Sequence, residues 1–120
     1  MYKKTLVVGA SLKPNRYSNI AIKRLRENNV ETVAFGLKEG TVEDVPIDTK
    51  LMPHANVHTV TLYLNPQRQK PYYDYIIGLK PKRIIFNPGT ENIEFQNILK
   101  QEGIAFEEAC TLVLLSINKY

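Results

Sequence analysis

Five short runs of apolar and β-branched residues recur along the chain, each with the length of a β-strand. They occupy residues 5–8, 31–35, 59–64, 83–86 and 104–106. The first and the fourth runs are almost continuously apolar, which is typical of parallel strands covered on both faces. The pattern predicts five strands within one sheet.

Segments with helical spacing lie between and after these strands. Apolar residues recur every three or four positions in segments 18–25, 72–79, 95–102 and 110–117. Pro71 is expected in the first turn of the second helix, because proline inside a helix costs about 3 kcal/mol. Gly103 stands where the third helix should end. Asn15 or Ser18 is expected to cap the first helix and Thr90 the third.

The span 37–57 contains two prolines and a glycine without a steady period. It predicts a long irregular crossover with at most one short element. Elsewhere strands and helices alternate, which predicts an α/β fold in three layers, with a five-stranded, mostly parallel sheet between helices. A length of 120 residues fits a single domain over 1–120.

The composition and net charge of the chain limit the classes of partner and the compartment that we expect. Apolar residues make up 43% of the chain, enough for a globular core, and no apolar run approaches the ~20 residues of a membrane span. The single cysteine excludes an internal disulfide and fits a reducing compartment, so a cytoplasmic protein is expected. A net charge of +4 favours an anionic partner, but the cations are spread along the chain, which argues against nucleic acid.

The segment after the first strand carries the candidate chemistry, because ligands of parallel sheets bind beyond the carboxyl ends of the strands. Gly9 permits a sharp turn, Ser11 offers a hydroxyl, and the following helix offers free N–H groups suited to a pyrophosphate. Lys13 and Arg16 add positive charge at its rim. The alternative is an ordinary strand-to-helix turn, since neither the full Gly-x-Gly-x-x-Gly fingerprint nor a Walker loop is present.

The end of the second strand favours some nucleotides over others. An NAD-binding domain places an acidic residue there for the ribose hydroxyls. Here the strand ends Phe35, Gly36, Leu37, Lys38. A lysine suits a phosphorylated ribose, as in coenzyme A (CoA) or NADP, although Lys38 could also be a solvated loop residue.

Two further strand ends carry turn-forming residues. Asn65 and a proline follow the third strand, and Asn87, Pro88 and Gly89 follow the fourth. We expect at least one of these turns to contact a ligand, although both could be simple turn chemistry.

No catalytic or metal-binding group is predicted. His54 and His58 lack a carboxylate or cysteine at ligand spacing and are expected on the surface. Cys110 falls on the apolar stripe of the last helix and is expected to be a buried structural thiol.

Three motifs taken together resemble a known family. They are VGASLKPNRYSN at 8–19, KPKRIIFNPGTEN at 80–92 and ACTLV at 109–113. In this order they resemble the small stand-alone CoA-binding proteins, which are similar to the CoA-binding domain of the succinyl-CoA synthetase alpha subunit. The likeness spans nearly the whole chain.

The resemblance implies a Rossmann-type fold that binds CoA or acyl-CoA. It implies three sets of contacts: Gly9, Ala10, Ser11, Lys13 and Arg16 for the pyrophosphate; Gly36, Leu37, Lys38, Leu64 and Asn65 for the adenosine; Asn87, Pro88 and Gly89 for the pantetheine arm. Many relatives continue the second strand into an Asn-Pro turn, which this chain lacks, so the adenosine contacts depart from the family pattern.

We therefore expect a small-molecule cofactor-binding protein with no catalytic residues of its own. Two alternatives stay open: an NADP-dependent oxidoreductase, for which no Tyr-x-x-x-Lys is apparent, and an interaction module that has lost its ligand.

Overall fold

A computed structural model describes residues 2–120, and Met1 lies outside the described residues. The strands are β1 (Thr5–Ala10), β2 (Thr32–Gly36), β3 (Gly40–Val42), β4 (Val45–Asp48), β5 (Thr59–Leu62), β6 (Arg83–Phe86) and β7 (Ala105–Glu108). The helices are α1 (Tyr17–Glu27), α2 (Pro66–Gln69), α3 (Tyr73–Gly78), α4 (Ile93–Glu102) and α5 (Thr111–Ser116), with a 3-10 turn at Lys70–Tyr72.

The predicted α/β architecture is confirmed, but the sheet has seven strands rather than five. Their spatial order is β3-β4-β2-β1-β5-β6-β7, and every neighbouring pair is parallel except β3 with β4. The arrangement is Rossmann-like, with β1 at the centre. The chain moves from β1 to β2 on one side and later to β5 on the other, so strand order reverses at β1.

The two extra strands lie in the span predicted to be irregular, and that prediction was wrong. β3 and β4 form an antiparallel hairpin in which Thr41 pairs with Pro46. The turn between them consists of Glu43, with a φ of 55°, and Asp44. No Asn-Gly or Asp-Gly pair marks this turn, and Pro46 argues against a strand in sequence, so the pattern concealed the hairpin.

A β-bulge at Gly9 reorganises the end of β1. Val8 pairs with Phe35 and Ala10 with Gly36, so two residues of β1 span one step of β2. Gly9 takes a φ of 93°, which suits glycine and explains the residue at this position. The bulge also reverses the side-chain alternation, because Val8 packs into one core cluster and Ala10 into the other.

Helices cover both faces of the sheet, as predicted. One face packs against α3 and α4 through Ile76 and Phe95, and the other against α1 and α5 through Ile22 and Leu115. Within residues 2–120, no helix is both long enough and apolar enough to cross a membrane.

Several helix boundaries differ from the predictions. The second helical segment is divided into α2, the 3-10 turn and α3, and Pro71 lies in the 3-10 turn. Arg16, without a side-chain bond, precedes α1, so neither Asn15 nor Ser18 caps it. Asn92 rather than Thr90 caps α4, through a bond from the Phe95 N–H.

The prediction for the end of α4 is confirmed, whereas the prediction for the apolar face of the last helix, α5, is wrong. Gly103 ends α4 with a φ of 72°, as predicted. The apolar stripe predicted for the last helix was wrong: Val113 and Ile117 are 52% and 56% exposed, while Thr111 and Leu115 are buried. Cys110 precedes this helix and is half-buried.

Candidate functional site

Three strand ends meet closely at the point where strand order reverses. A Cβ added to Gly36 would lie 2.4 Å from the carbonyl oxygen of Ala10, and one added to Gly9 would lie 3.0 Å from Leu64 Cδ2. The backbone of β1 therefore contacts the end of β2 on one side and the end of β5 on the other. In parallel sheets this edge is where ligands bind.

The segment between β1 and α1 is held by its own polar contacts. The Lys13 N–H donates to Ser11 Oγ at 3.1 Å, and the Arg16 N–H donates to the Lys13 carbonyl at 3.1 Å. From within α1, Asn19 Nδ2 donates to the Ser11 carbonyl at 2.9 Å. Asn19 is 2% exposed, and its Oδ1 lacks a hydrogen-bond partner within the described residues. These bonds fix the backbone while Lys13 and Arg16 point into solvent-exposed positions.

The N-terminus of α1 is open to an anion. Its first turn has no acidic residue and receives no side-chain cap, whereas α4 has both the Asn92 cap and Glu94. Neither Lys13 nor Arg16 takes part in an ion pair among residues 2–120. Free amide groups, a helix dipole and unpaired cations together favour a bound phosphate group.

An open depression lies beside the end of β2. It is lined by residues 39–41 and 46–50 and has a volume of about 590 Å³. Gly36 is buried at the last position of β2, and Leu37 and Lys38 follow it in exposed positions. Leu12 reaches across from the first segment, since a Cβ on Gly40 would lie 2.5 Å from Leu12 Cδ2. The unforeseen hairpin thus forms one wall of this side.

The predicted residues after β5 and β6 have different environments. Leu64 is half-buried, and Asn65 caps α2 by accepting from the Arg68 N–H at 3.0 Å. Pro88 and Gly89 are exposed at the edge. Asn87, by contrast, is 2% exposed.

The buried amide of Asn87 ties three elements together. Its Nδ2 donates to Thr61 Oγ1 at 2.6 Å and to the Leu62 carbonyl at 2.9 Å. Its Oδ1 accepts from the Thr111 N–H at 2.9 Å. The side chain therefore joins β5 and β6 to the start of α5, and the exposed part of this turn is its proline and glycine.

Sequence reasoning missed a second buried amide, Gln69. It is 0% exposed, and Nε2 donates to the carbonyls of Leu64 and Thr90, both at 2.8 Å. Its Oε1 accepts from Asn92 Nδ2 at 2.9 Å. A polar residue four positions after Asn65, just behind the helix start, was the one available signal.

The network continues away from the edge. Asn92 Nδ2 also donates to Tyr73 Oη at 2.8 Å, and that hydroxyl donates to Glu94 Oε1 at 3.1 Å. Burial, the largest cause, raises the pKa of Tyr73 above its ordinary value, so the hydroxyl stays protonated and able to donate.

His58 lies at the opposite edge of the sheet, just before β5, whereas His54 lies near the end of β4. His54 Nε2 is 3.7 Å from Asp48 Oδ2, yet burial and the nearby Lys4 lower the pKa of His54, which keeps the ring neutral at pH 7. Among residues 2–120, no group of three or more His, Cys, Asp or Glu side chains is arranged to hold a metal ion.

Solved structures share this fold. An uncharacterised protein is 46% identical, with a TM-score of 0.96, and the match covers 100% of this chain and 99% of that one. A hypothetical protein from Pyrococcus horikoshii OT3 is 26% identical, with a TM-score of 0.83 over 93% of this chain and 80% of that one. A Thermus thermophilus protein is 18% identical, with a TM-score of 0.86 over 99% and 91%, a likeness of fold alone.

No curated protein matches the chain. A family model described as CoA binding domain matches residues 3–116. That match covers β1 through α5 and includes every strand end described above. The chain belongs to the CoA binding domain family.

Proposed function

We propose that the protein binds CoA or an acyl-CoA at the carboxyl edge of its sheet. The observation that carries the proposal is the uncapped, acid-free N-terminus of α1 at the point of strand reversal. A pyrophosphate placed there would accept from free amide groups and lie near Lys13 and Arg16. Membership of the CoA binding domain family supports CoA over other diphosphates.

The two ends of the ligand would extend in opposite directions from this pyrophosphate. The adenosine would lie toward β2, over Gly36, Leu37 and Lys38, with the depression beside the hairpin next to it. Lys38 is exposed and in no ion pair of the described residues, so it is free to approach a ribose phosphate. The resemblance implies adenosine contacts for Leu64 and Asn65 as well. Because these residues follow β5, on the other side of β1 from β2, we propose instead that they lie where the pantetheine arm leaves the pyrophosphate.

The pantetheine arm would then cross the ends of β5 and β6. Pro88 and Gly89 are the exposed residues of the β6 turn, so contacts there would come from the proline ring and the backbone. The Asn87 amide already has three partners within the protein, and its carbonyl accepts from the N–H and the hydroxyl of Thr90. Asn87 would therefore hold the turn that presents Pro88 and Gly89 to the arm.

We further propose that the protein holds the cofactor without catalysing a reaction on it. The polar side chains behind the β5 and β6 turns, Asn87, Gln69 and Asn92, each bond to other parts of the protein in ways that explain their presence. These hydrogen bonds give each of the three side chains a structural role, so none of them requires a role in proton transfer to explain its burial.

Thermal unfolding with added ligands tests the proposal. A ligand that binds only the folded state raises the melting temperature, by an amount that grows with the logarithm of its free concentration relative to its Kd. CoA and acetyl-CoA are expected to raise it at concentrations where NAD and NADP do not. A rise with NADP alone would favour the oxidoreductase reading, and no rise with any of the four would overturn the proposal.

A further inference from the structure

Gln69 joins two turns that the sheet itself leaves unjoined. The paired register of β5 and β6 ends at Leu62 with Phe86. Beyond that point both chains leave the sheet, and Gln69 Nε2 donates to the Leu64 carbonyl and the Thr90 carbonyl. Its two amide hydrogens therefore link the chain after β5 to the chain after β6, beyond the last paired residues of the two strands.

The amide has only one workable orientation. Both hydrogens face carbonyl oxygens, and its own oxygen faces Asn92 Nδ2. Turning the amide over would set an oxygen against two carbonyls and leave Asn92 facing donor hydrogens. With complete burial and three bonds at 2.8–2.9 Å, Gln69 fixes how far apart the turns lie.

The joined turns are those next to the exposed Asn65, Pro88 and Gly89. Thr90 transmits the restraint, because both its N–H and its hydroxyl donate to the Asn87 carbonyl, at 2.9 Å and 2.8 Å. A shift of Thr90 therefore moves the residues at the apex of the β6 turn. The N-terminus of α1 and the end of β2 receive no hydrogen bond from Gln69.

We propose that Gln69 is a positioning residue for the non-nucleotide arm of the ligand. It sets the spacing of the β5 and β6 turns over which that arm passes, without contacting the nucleotide half. The inference rests on the proposed function, since it assumes that a pantetheine-like arm leaves the pyrophosphate toward β6.

Comparing the Kd values for two ligands distinguishes a positioning role of Gln69 from a general effect on the stability of the fold. CoA and ADP share the adenosine and two linked phosphates. ADP lacks the arm and also the ribose 3′-phosphate, which is proposed to lie toward Lys38, at the end of β2, where Gln69 makes no hydrogen bond. In Gln69→Met, which preserves length and removes the amide, the Kd for CoA should rise by about tenfold while the Kd for ADP stays within about twofold. A general loosening of the fold would weaken both ligands together.

Two further variants serve as a control and as an alternative to Gln69→Met. Gln96→Met makes the same change at another buried glutamine, whose Nε2 donates to the Glu108 side chain rather than to a turn, and should leave both Kd values unchanged. Should Gln69→Met fail to fold, Asn92→Ser withdraws the donor to Gln69 while serine can still cap α4. It should weaken CoA selectively and to a smaller extent.

The outcomes distinguish this inference from the proposed function. If wild-type protein binds neither CoA nor ADP in calorimetry, both proposals fail. If wild-type protein binds CoA, but the Gln69 and Asn92 variants lose CoA and ADP equally or lose neither, the positioning role is wrong and the cofactor proposal stands.

Discussion

The carbonyl oxygen of Ala10 occupies the space where a side chain on Gly36 would begin. An ideal Cβ there would lie 2.4 Å from that oxygen, well inside contact distance. The contact follows from the bulge at Gly9, which brings Ala10 opposite Gly36 in the register. The pairing joins the end of β2 to the start of the segment proposed to bind phosphate.

Gly36→Ala should therefore destabilise the fold and disturb the site. The backbone of β1 or β2 must move to accept the methyl group, which we expect to lower the free energy of unfolding by about 1–3 kcal/mol. Urea unfolding measures the change.

Gly78→Ala is the matched control, because a Cβ at Gly78 meets nothing within 4 Å and the residue is helical. It should be neutral or stabilising by about 0.5–1 kcal/mol. Equal effects of the two substitutions would contradict the role assigned to the Ala10 contact.

Charge reversal tests the phosphate site. Lys13→Glu with Arg16→Glu should raise the Kd for CoA by about tenfold or more, because two exposed cations beside an open helix start become anions. Both side chains are exposed, so the melting temperature of the free protein should change little.

Lys82→Glu with Lys100→Glu provides the control, with the same change in net charge. Lys82 precedes β6 and Lys100 lies near the end of α4, both exposed and on the opposite edge of the sheet from the strand ends. Calorimetry at low and moderate salt should show loss of CoA affinity only in the first pair. Similar losses in both would indicate a general charge effect instead of a local site.

Asn87→Ala should release the start of α5. The substitution leaves the Thr111 N–H and the Leu62 carbonyl without the partners they now have, at a cost of about 1–3 kcal/mol. Amide hydrogen exchange should quicken in residues 111–116 before it does in β1.

Asn97→Ala, at an exposed position of α4, should be neutral or slightly stabilising, since alanine is the better helix former. Unchanged exchange in α5 of Asn87→Ala would show that other contacts are sufficient to hold that helix.

The stability of the fold at high pH should depend on Tyr63. Burial, only partly opposed by the nearby hydroxyls of Thr61 and Thr111, raises the pKa of Tyr63 to about 12 from an ordinary 10.0. The folded state holds this proton more tightly than the unfolded state. Its contribution is therefore complete below pH 10 and is lost as the pH rises through about 12.

Tyr63→Phe should accordingly flatten the fall in stability between pH 10 and 12. At pH 7 it should be neutral or stabilising, because the buried Tyr63 hydroxyl has no hydrogen-bond partner among the described residues. Tyr17→Phe, at a position 71% exposed, should leave the pH profile unchanged. Urea titrations across this range would refute the assignment if the two variants behaved alike.

The local pattern of apolar and polar residues was sufficient to predict the main strands and helices but not to predict the residues at which they begin and end. The buried face of β1 and the end of α4 at Gly103 each depend on residues adjacent in sequence, so periodicity and a single glycine locate them. The hairpin of β3 and β4 cannot be located from adjacent residues in this way. Val45 and Ile47 are buried in the core cluster that includes residues of α1, which β4 reaches by pairing with β2, and Pro46 conceals the alternation.

The candidate site divides in the same way. Gly9, Ser11 and the helix after them could be proposed from the sequence as an anion-binding turn, since all lie within one short segment. Gln69 and Asn87 could not be assigned their roles, because their partners at Leu64, Thr90 and Thr111 are up to 24 positions away.

By itself, then, the order of apolar and polar residues determined that strands alternate with helices and that the turn after β1 leads into a helix. Tertiary structure alone decided which turns lie side by side, how the bulge sets Ala10 against Gly36, and which amides are buried. The physical reason is that periodicity records which face of an element avoids water, whereas hydrogen bonds between distant turns exist only once packing has brought them together.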